Sequence, residues 1–92
     1  MATGKLILTT ISGYDKPGVT ASLTGILAEN DAYILDIGQA DIHNNLNLGI
    51  LFQTTEEKSG DILKELLFKS YELNVKIRFT PITEEEYMEW VS

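Results

Sequence analysis

An α+β sandwich, with a four-stranded antiparallel sheet and two helices on one of its faces, is the fold class that the sequence predicts. Apolar positions with the two-residue period of strands alternate with stretches of helical period, in the order βαββαβ. Residues 15–18 and 57–60 are similar helix-start signals and indicate two related halves. Two right-handed βαβ crossovers interleaved in this way give the strand order 4-1-3-2. This arrangement is the ferredoxin-like sandwich.

The first strand and the first helix follow from local sequence. Residues 5–12 are rich in β-branched and aliphatic side chains and predict a strand that stops at Gly13. Pro17 and Gly18 mark a helix start, because proline lacks the N–H that would be unpaired there. The buried stripe of this helix recurs at helical spacing: Val19, Leu23, Ile26 and Leu27.

A hairpin is predicted next. Residues 33–43 read as a strand with a bulge at Gly38, and residues 46–55 read as its return. Asn44 and Asn45 tolerate the positive φ of the tight turn between them.

The remaining elements repeat the pattern. Ser59 or Asp61 is expected to cap a second helix that ends at Asn74, and residues 75–80 predict the fourth strand. Thr83 followed by Glu86 is typical of a capping box and predicts a short terminal helix. The expected buried side of the second helix is Ile62, Leu63, Leu66, Leu67 and Leu73.

Apolar residues on both faces of the sheet indicate that its open face is covered too. The third strand offers Leu51 on the side opposite its other apolar residues, and the first strand offers Leu6 and Leu8 on one side against Ile7 and Ile11 on the other. Tyr87 and Trp90 of the terminal helix, or another domain, are expected to cover the open face. The chain is interpreted as a single domain over residues 1–92, with residues 81–92 leading to a neighbouring domain.

Composition excludes several classes of function. With 7 basic and 14 acidic residues the net charge is −7, which disfavours nucleic acid and anionic membranes. The absence of cysteine removes disulfides, thiolate nucleophiles and cysteine-ligated metals. No apolar stretch is long enough for a bilayer or a signal-peptide core, and a cytoplasmic location is expected.

Catalytic interpretations lack partners. His43 is the only imidazole and is predicted at a hairpin end. Asp36 and Asp41 are five residues apart on one strand, which points them to opposite faces unless Gly38 bulges. Arg78 is the only arginine and lies far from any phosphate-binding loop. We therefore expect no catalytic residues, no metal and no cofactor.

One loop is suited to a ligand. Residues 13–19 join the first strand to the N-terminus of the first helix, where unpaired amides and the helix dipole attract a carboxylate. Gly18 permits close approach to the backbone, leaving the amides of Gly18, Val19 and Thr20 as donors. The alternative is a plain helix start in which Asp15 caps its own amides.

The same residues resemble a known family. A strand ending in Ser-Gly-x-Asp-x-Pro-Gly-Val, then a helix, then Ile-Leu-Asp-Ile-Gly-Gln at residues 34–39, is similar to the ACT domain, a small regulatory module that binds amino acids. Residues 35–43, 48–52, 65–70 and 77–83 resemble the N-terminal ACT segment of bacterial phosphoserine phosphatases, which belong to the haloacid dehalogenase superfamily.

The resemblance implies a ligand site between two copies of the chain. The implied ligand-binding residues are Asp15, Pro17, Gly18, Val19, Asp36 and Gln39. The implied interface residues on the second strand are Ile34, Leu35 and Ile37. The implied partners are a small amino acid, with L-serine favoured, a second copy of the chain, and a second ACT domain or a catalytic domain in a parent phosphatase.

Three interpretations remain open at this point. The chain is either a regulatory module of a phosphoserine phosphatase in L-serine biosynthesis or a free-standing ACT protein. It also fits a module that only oligomerises, because Tyr14, Asp15 and Lys16 stand where several ACT domains hold the amino acid with His or Asn.

Overall fold

Seven elements build the computed structural model, which describes residues 4–91. They are β1 (Lys5–Tyr14), α1 (Val19–Glu29), β2 (Tyr33–Ile42), β3 (Asn45–Thr54), α2 (Glu56–Leu73), β4 (Lys76–Ile82) and α3 (Glu84–Val91). The strands form one antiparallel sheet in the order β2-β3-β1-β4. This is the predicted order 4-1-3-2 counted from the other edge, so the ferredoxin-like prediction is confirmed. Ser92, at the end of the predicted terminal segment, lies outside the described residues.

The core lies between one face of the sheet and the helices α1 and α2. The central pair β1–β3 brings Ile7 opposite Phe52 and Ile11 opposite Leu48, all four buried. Leu23 of α1 is fully buried against this layer. Because side chains alternate along a strand, this register assigns every other residue of the sheet to the helix side. The remaining fully or nearly fully buried members of the cluster are Val19, Leu27, Leu46, Ile50, Ile62 and Leu66.

The opposite face is partly covered, as the two-sided pattern predicted. Leu6 and Leu51 lie on that face and are each only 5% exposed. In α3, Tyr87 is half-buried and Trp90 is 55% exposed. Among residues 4–91, no helix combines the length and the apolar character needed to cross a bilayer.

The β2–β3 hairpin is displaced by one residue from its prediction. His43 and Asn44 occupy the turn with φ of 50° and 66°, whereas Asn44 and Asn45 were expected there. Ile42 pairs with Asn45, so the turn has two residues with positive φ, as in type I′ turns. Asparagine and histidine both tolerate this conformation. The register of β2 against β3 therefore decides which two residues form the turn.

The predicted bulge at Gly38 is wrong. Gly38 pairs regularly with Gly49, and the irregularity falls between Ile34 and Asp36, which leaves Leu35 without a partner. The bulge keeps Ile34 on the core side, where it packs against the buried cluster.

Helix α2 begins earlier than predicted. Thr55 is its N-cap, and the Thr55 side chain accepts a hydrogen bond from the Lys58 amide at 3.2 Å. Ser59 and Asp61 therefore lie inside the helix. The predicted C-terminus is confirmed, because Asn74 adopts the left-handed conformation with φ 58°.

The predicted buried side of α2 holds in part. Ile62 and Leu66 are buried, and Leu63 and Leu73 pack against the core from partly exposed positions. Leu67 is 55% exposed, so its predicted burial is wrong. The stripe of this helix that faces the sheet is narrower than its apolar sequence suggests.

The capping box of α3 is confirmed. The Glu86 amide donates to the Thr83 hydroxyl, and the Thr83 amide donates to the Glu86 carboxylate, both at 3.1 Å.

Substitution of Thr9 by valine is expected to stabilise the fold. Thr9 is 1% exposed on the core side of β1, and its hydroxyl has no hydrogen-bond partner in the described chain. Removing an unsatisfied buried hydroxyl should raise the free energy of unfolding by about 1 kcal/mol. Urea denaturation followed by circular dichroism measures it. Thr10→Val, on the exposed face, is the matched control, and a lower stability for Thr9→Val would contradict the interpretation.

Candidate functional site

A tight turn places the start of α1 directly after β1. Pro17 and Gly18 are its central residues, and the Val19 amide closes it on the Lys16 carbonyl at 3.4 Å. Gly18 has φ 89° and ψ −3°, the values of the third residue of a type II turn. Proline presets the preceding position, and glycine takes the left-handed one without strain.

Two contacts fasten this loop to distant parts of the fold. The Asp15 amide donates to the Asn44 carbonyl in the β2–β3 turn at 2.8 Å. The Lys16 ammonium donates to the Leu73 carbonyl at the C-terminus of α2, also at 2.8 Å. A cation is favoured at that end of a helix. The loop is therefore held from both sides.

The N-terminus of α1 carries no side-chain cap. Gly18 is the N-cap, no acidic residue occupies the first turn, and Asp15 makes no capping bond. The interpretation in which Asp15 fills this position therefore does not describe the structure. Among the described residues, the amides of Gly18 and Thr20 have no hydrogen-bond acceptor, whereas the Val19 amide is used in the turn. Two of the three predicted donors remain available.

Four polar side chains connect the loop, α1 and β2. The Thr20 hydroxyl donates to the Gln39 side-chain carbonyl at 2.9 Å, and the Gln39 amide donates to the Asp41 carboxylate at 3.3 Å. The pKa of Asp15 is raised from its ordinary value of 3.8, first by a hydrogen bond with the Asp41 carboxyl and then by desolvation and charge repulsion. Asp15 and Asp41 therefore lie side by side.

This arrangement puts donors and carboxylates in one small region. The free amides and the positive end of the α1 dipole attract a negative group. The Asp15–Asp41 pair concentrates negative charge and favours a cationic group. This region is therefore suited to a small molecule that carries one negative and one positive group.

The structure brings together only some of the predicted site residues. Asp15, Pro17, Gly18 and Val19 share the loop, and Gln39 reaches it through Thr20. Asp36 pairs with Leu51 on the opposite face of the sheet, where its carboxylate accepts the Ile37 amide at 2.9 Å. In one protomer Asp36 is therefore separated from Gln39.

The predicted interface residues lie on an edge strand. β2 is the outermost strand, with hydrogen-bonding groups along its free side. Ile34 and Leu35 are half-buried, and Ile37 is 44% exposed. Their part in an interface stays a prediction.

Two concavities of the described chain lie away from this loop. One open cleft of about 860 Å³ is lined by β1, β3, β4 and the second half of α2, and a second of about 450 Å³ adjoins it near Gly13. Neither is lined by residues 15–20. Because residues 14–18 are exposed, a ligand at this loop in one protomer would be open to solvent on one side.

No metal chemistry is apparent in the part of the chain that the structure describes, where no group of three His, Asp or Glu residues is arranged to hold an ion. His43 is the exposed turn residue that its position predicted. Asp36 and Asp41 point to opposite faces, also as predicted.

Sequence reasoning missed three residues of the site. Thr20 and Asp41 enter through contacts between β2 and the α1 region, and Lys16 through its bond to α2. The two-residue spacing of Gln39 and Asp41, which puts both on one face of a strand, was the signal that could have identified Asp41.

A family model and a solved structure both match this chain to the same family, and a relative of similar length matches it as well. A family model described as the ACT domain matches residues 5–80. A UPF0237 protein of Methanocaldococcus jannaschii is 32% identical over 73 residues, which cover 77% of this chain and 81% of that protein. An ACT domain protein from Streptococcus pneumoniae has a similar structure, with a TM-score of 0.72 and 27% identity, over 84% of this chain and 89% of that one.

A partial match links the chain to an enzyme. A phosphoserine phosphatase of Mycobacterium tuberculosis is 40% identical over 45 residues, which are 49% of this chain. The match spans only 11% of the length of that phosphatase.

Replacing Gly18 by alanine should cost about 1 kcal/mol of unfolding free energy, because a side chain is strained at φ 89° although its Cβ would meet no atom within 4 Å. Gly25→Ala in α1 is the control. Its Cβ also has free space, and alanine there should add roughly 0.5–1 kcal/mol, since glycine weakens a helix interior. Thermal and urea unfolding distinguish the two, and equal shifts would contradict the assignment of the turn.

Asp41→Asn should stabilise the protein at neutral pH. The raised pKa of Asp15 means that folding favours its protonated form. The ionised carboxylate therefore lowers the free energy of unfolding above that pKa, and this effect disappears as the pH falls through the raised pKa towards 3.8. The advantage of the variant should therefore be present at pH 7 and shrink in acid. Urea denaturation across this range tests it, with Asp36→Asn as the control for net charge. A constant difference at all pH values would refute the carboxyl pair.

Proposed function

This chain belongs to the ACT domain family, and from that premise we propose that it is a regulatory domain that binds L-serine between two copies of itself. The observation that carries the proposal is the uncapped start of α1, where the amides of Gly18 and Thr20 are free. Both charged groups of an amino acid then have counterparts: the carboxylate meets these amides, and the ammonium meets the neighbouring acidic pair, Asp15 and Asp41. The short side chain remains for the second copy.

The second copy completes the site along β2. The exposed edge of β2 offers Ile34, Leu35 and Ile37 to the same strand of a partner. Pairing there would shield the solvent-open side of the ligand. Asp36, which faces away from Gln39 within one protomer, would take part only from the partner copy.

Serine is favoured by the partial match to a phosphoserine phosphatase. Hydrolysis of phosphoserine releases serine, so a domain that senses serine would report the product of that reaction. We propose such a phosphatase as the regulated enzyme. The matching proteins of M. jannaschii and S. pneumoniae, most of whose length the chain covers, support a free-standing ACT protein as the alternative context.

The proposed mechanism is a shift between arrangements of two copies. A ligand that contacts both protomers binds one arrangement more tightly and raises its population. An attached or associated enzyme responds to that population, and by reciprocity the enzyme changes the affinity for the ligand.

A module that only oligomerises is the second candidate. It is favoured by the extent of exposure along β2, where every residue from 36 to 42 is exposed. Such a module would keep the edge pairing and bind no metabolite.

Isothermal titration with L-serine tests the proposal. We expect saturable heat for the wild type and at least a tenfold weaker affinity for Gly18→Val, in which the added side chain blocks the amides, on the order of the loss from one charge-assisted hydrogen bond. Gly25→Ala is the matched glycine control and should bind normally. The other nineteen amino acids are titrated in parallel.

Three outcomes are distinguishable. Heat with another amino acid but not with serine would change the ligand and keep the site. Equal affinities for wild type and Gly18→Val would move the site away from the loop. No heat with any amino acid, in a sample shown to be dimeric, would overturn sensing in favour of oligomerisation alone.

A further inference from the structure

Helix α3 is only partly covered by the rest of the described chain, with Tyr87 half-buried. It lies outside residues 5–80, the part that matches the family model, and none of its eight residues is buried. Met88, Trp90 and Val91 are 55–61% exposed. Isolated helices this short are marginal in water, so α3 is expected to gain stability from a surface that covers its apolar side.

The open face of the sheet offers such a surface. In register across the four strands, Gly38, Gly49, Thr10 and Arg78 form one row. A Cβ added at either glycine would meet no atom within 4 Å, so the middle of this face is a shallow floor. The adjacent row contains only small or flexible side chains: Ala40, Asn47, Ser12 and Lys76.

The two surfaces are complementary in charge. Lys76 and Arg78 are exposed on this face, and neither side chain has an ion pair or hydrogen bond among the described residues. The first turn of α3 is Glu84, Glu85 and Glu86. In a chain of net charge −7, this pair of unpaired cations is the complement of an acidic helix start.

The thickness of the described chain corresponds to two layers, so the open face of the sheet carries no third layer. The smallest extent of the molecule is 17 Å, which is the thickness of one helix layer on one sheet, whereas a third layer adds on the order of 10 Å. The chain exposes 6230 Å². A monomer of this mass exposes about 5,400 Å². The excess, roughly 800 Å², is what one partner buries in a standard interface.

The position of α3 fits a symmetric exchange. β4 runs from Lys76, beside Ser12, to Ile82, beside Leu6, and α3 starts beyond Ile82. A two-fold axis parallel to the sheet and perpendicular to the strands exchanges these two ends of β4. It therefore brings the start of α3 in each copy over the Lys76 end of the other copy.

We infer that α3 docks on the open sheet face of a second copy, with its acidic first turn on Lys76 and Arg78 and its apolar side chains on the glycine floor. This interface is distinct from the β2 edge and does not depend on any amino-acid ligand. Two copies related in this way cover both open faces at once, which makes the contact closed and isologous.

Trp90, the single tryptophan, reports this docking directly. Its emission should shift to the blue as protein concentration rises, in parallel with a change from monomer to dimer mass in sedimentation velocity. Arg78→Glu, and the double variant Glu84→Lys/Glu85→Lys, should each weaken association at least tenfold, the order expected for reversal of a charge pair shielded from water. Combining both sets of substitutions should restore part of the affinity.

Matched controls separate this contact from other effects. Lys64→Glu and Glu57→Lys reverse exposed charges on α2 and should leave association unchanged. Ile37→Asp addresses the β2 edge and should leave the Trp90 shift intact. A Trp90 emission that is independent of concentration, or a dimer unaffected by Arg78→Glu and by the α3 variant, would overturn the inference and assign the open face to another occupant.

Discussion

The register between β1 and β3 is the constraint on which the rest of the structure depends. It places Ile7, Thr9 and Ile11 on the helix side and commits Leu6 and Leu51 to the other face. Because the side-chain period of a strand is two, a slip by one residue would exchange the faces and expose the core. On the other side of β1, the pairing with β4 ends at Ser12 and Lys76 and brings Gly13 so close to Val75 that a Cβ there would lie 2.9 Å from the valine side chain. The path of β1 into the next loop is thereby fixed.

That fixed path explains how a short loop becomes a defined site. The scaffold holds residues 15–18 through backbone and side-chain bonds to the β2–β3 turn and to the end of α2. A loop held from both sides keeps the amides of α1 pointed in one direction without a capping side chain. Preorganised donors of this kind bind an anion with little ordering cost. The acidic pair beside them is unfavourable for the free protein at neutral pH, a local cost of the sort that functional sites commonly carry.

Much of the fold follows from the sequence because its signals are local. The helical stripes of α1 and α2, the Pro17–Gly18 turn and the Thr83 capping box each depend on residues within one or two turns of one another. The predictions of the hairpin turn and of the α2 N-cap were wrong because several residues close together in the sequence fit the same local preference. Among His43, Asn44 and Asn45, only pairing with β3 selects the turn, and among Thr55, Ser59 and Asp61, only the packing of α2 selects the cap. Of the site, the loop residues were predictable, whereas the approach of Asp41 to Asp15 and of Gln39 to Thr20 joins residues about twenty or more positions apart, and no local pattern encodes it.

The bond from the Asp15 amide to the Asn44 carbonyl has a mechanical consequence. It joins the turn at the end of the outermost strand to the loop proposed to hold a metabolite, and the Thr20–Gln39 bond joins the middle of the same strand to the first turn of α1. These two bonds couple the position of β2 to that of the ligand-binding loop and the start of α1. A neighbouring molecule that displaces β2 would therefore change the geometry of the site without any rearrangement of the hydrophobic core.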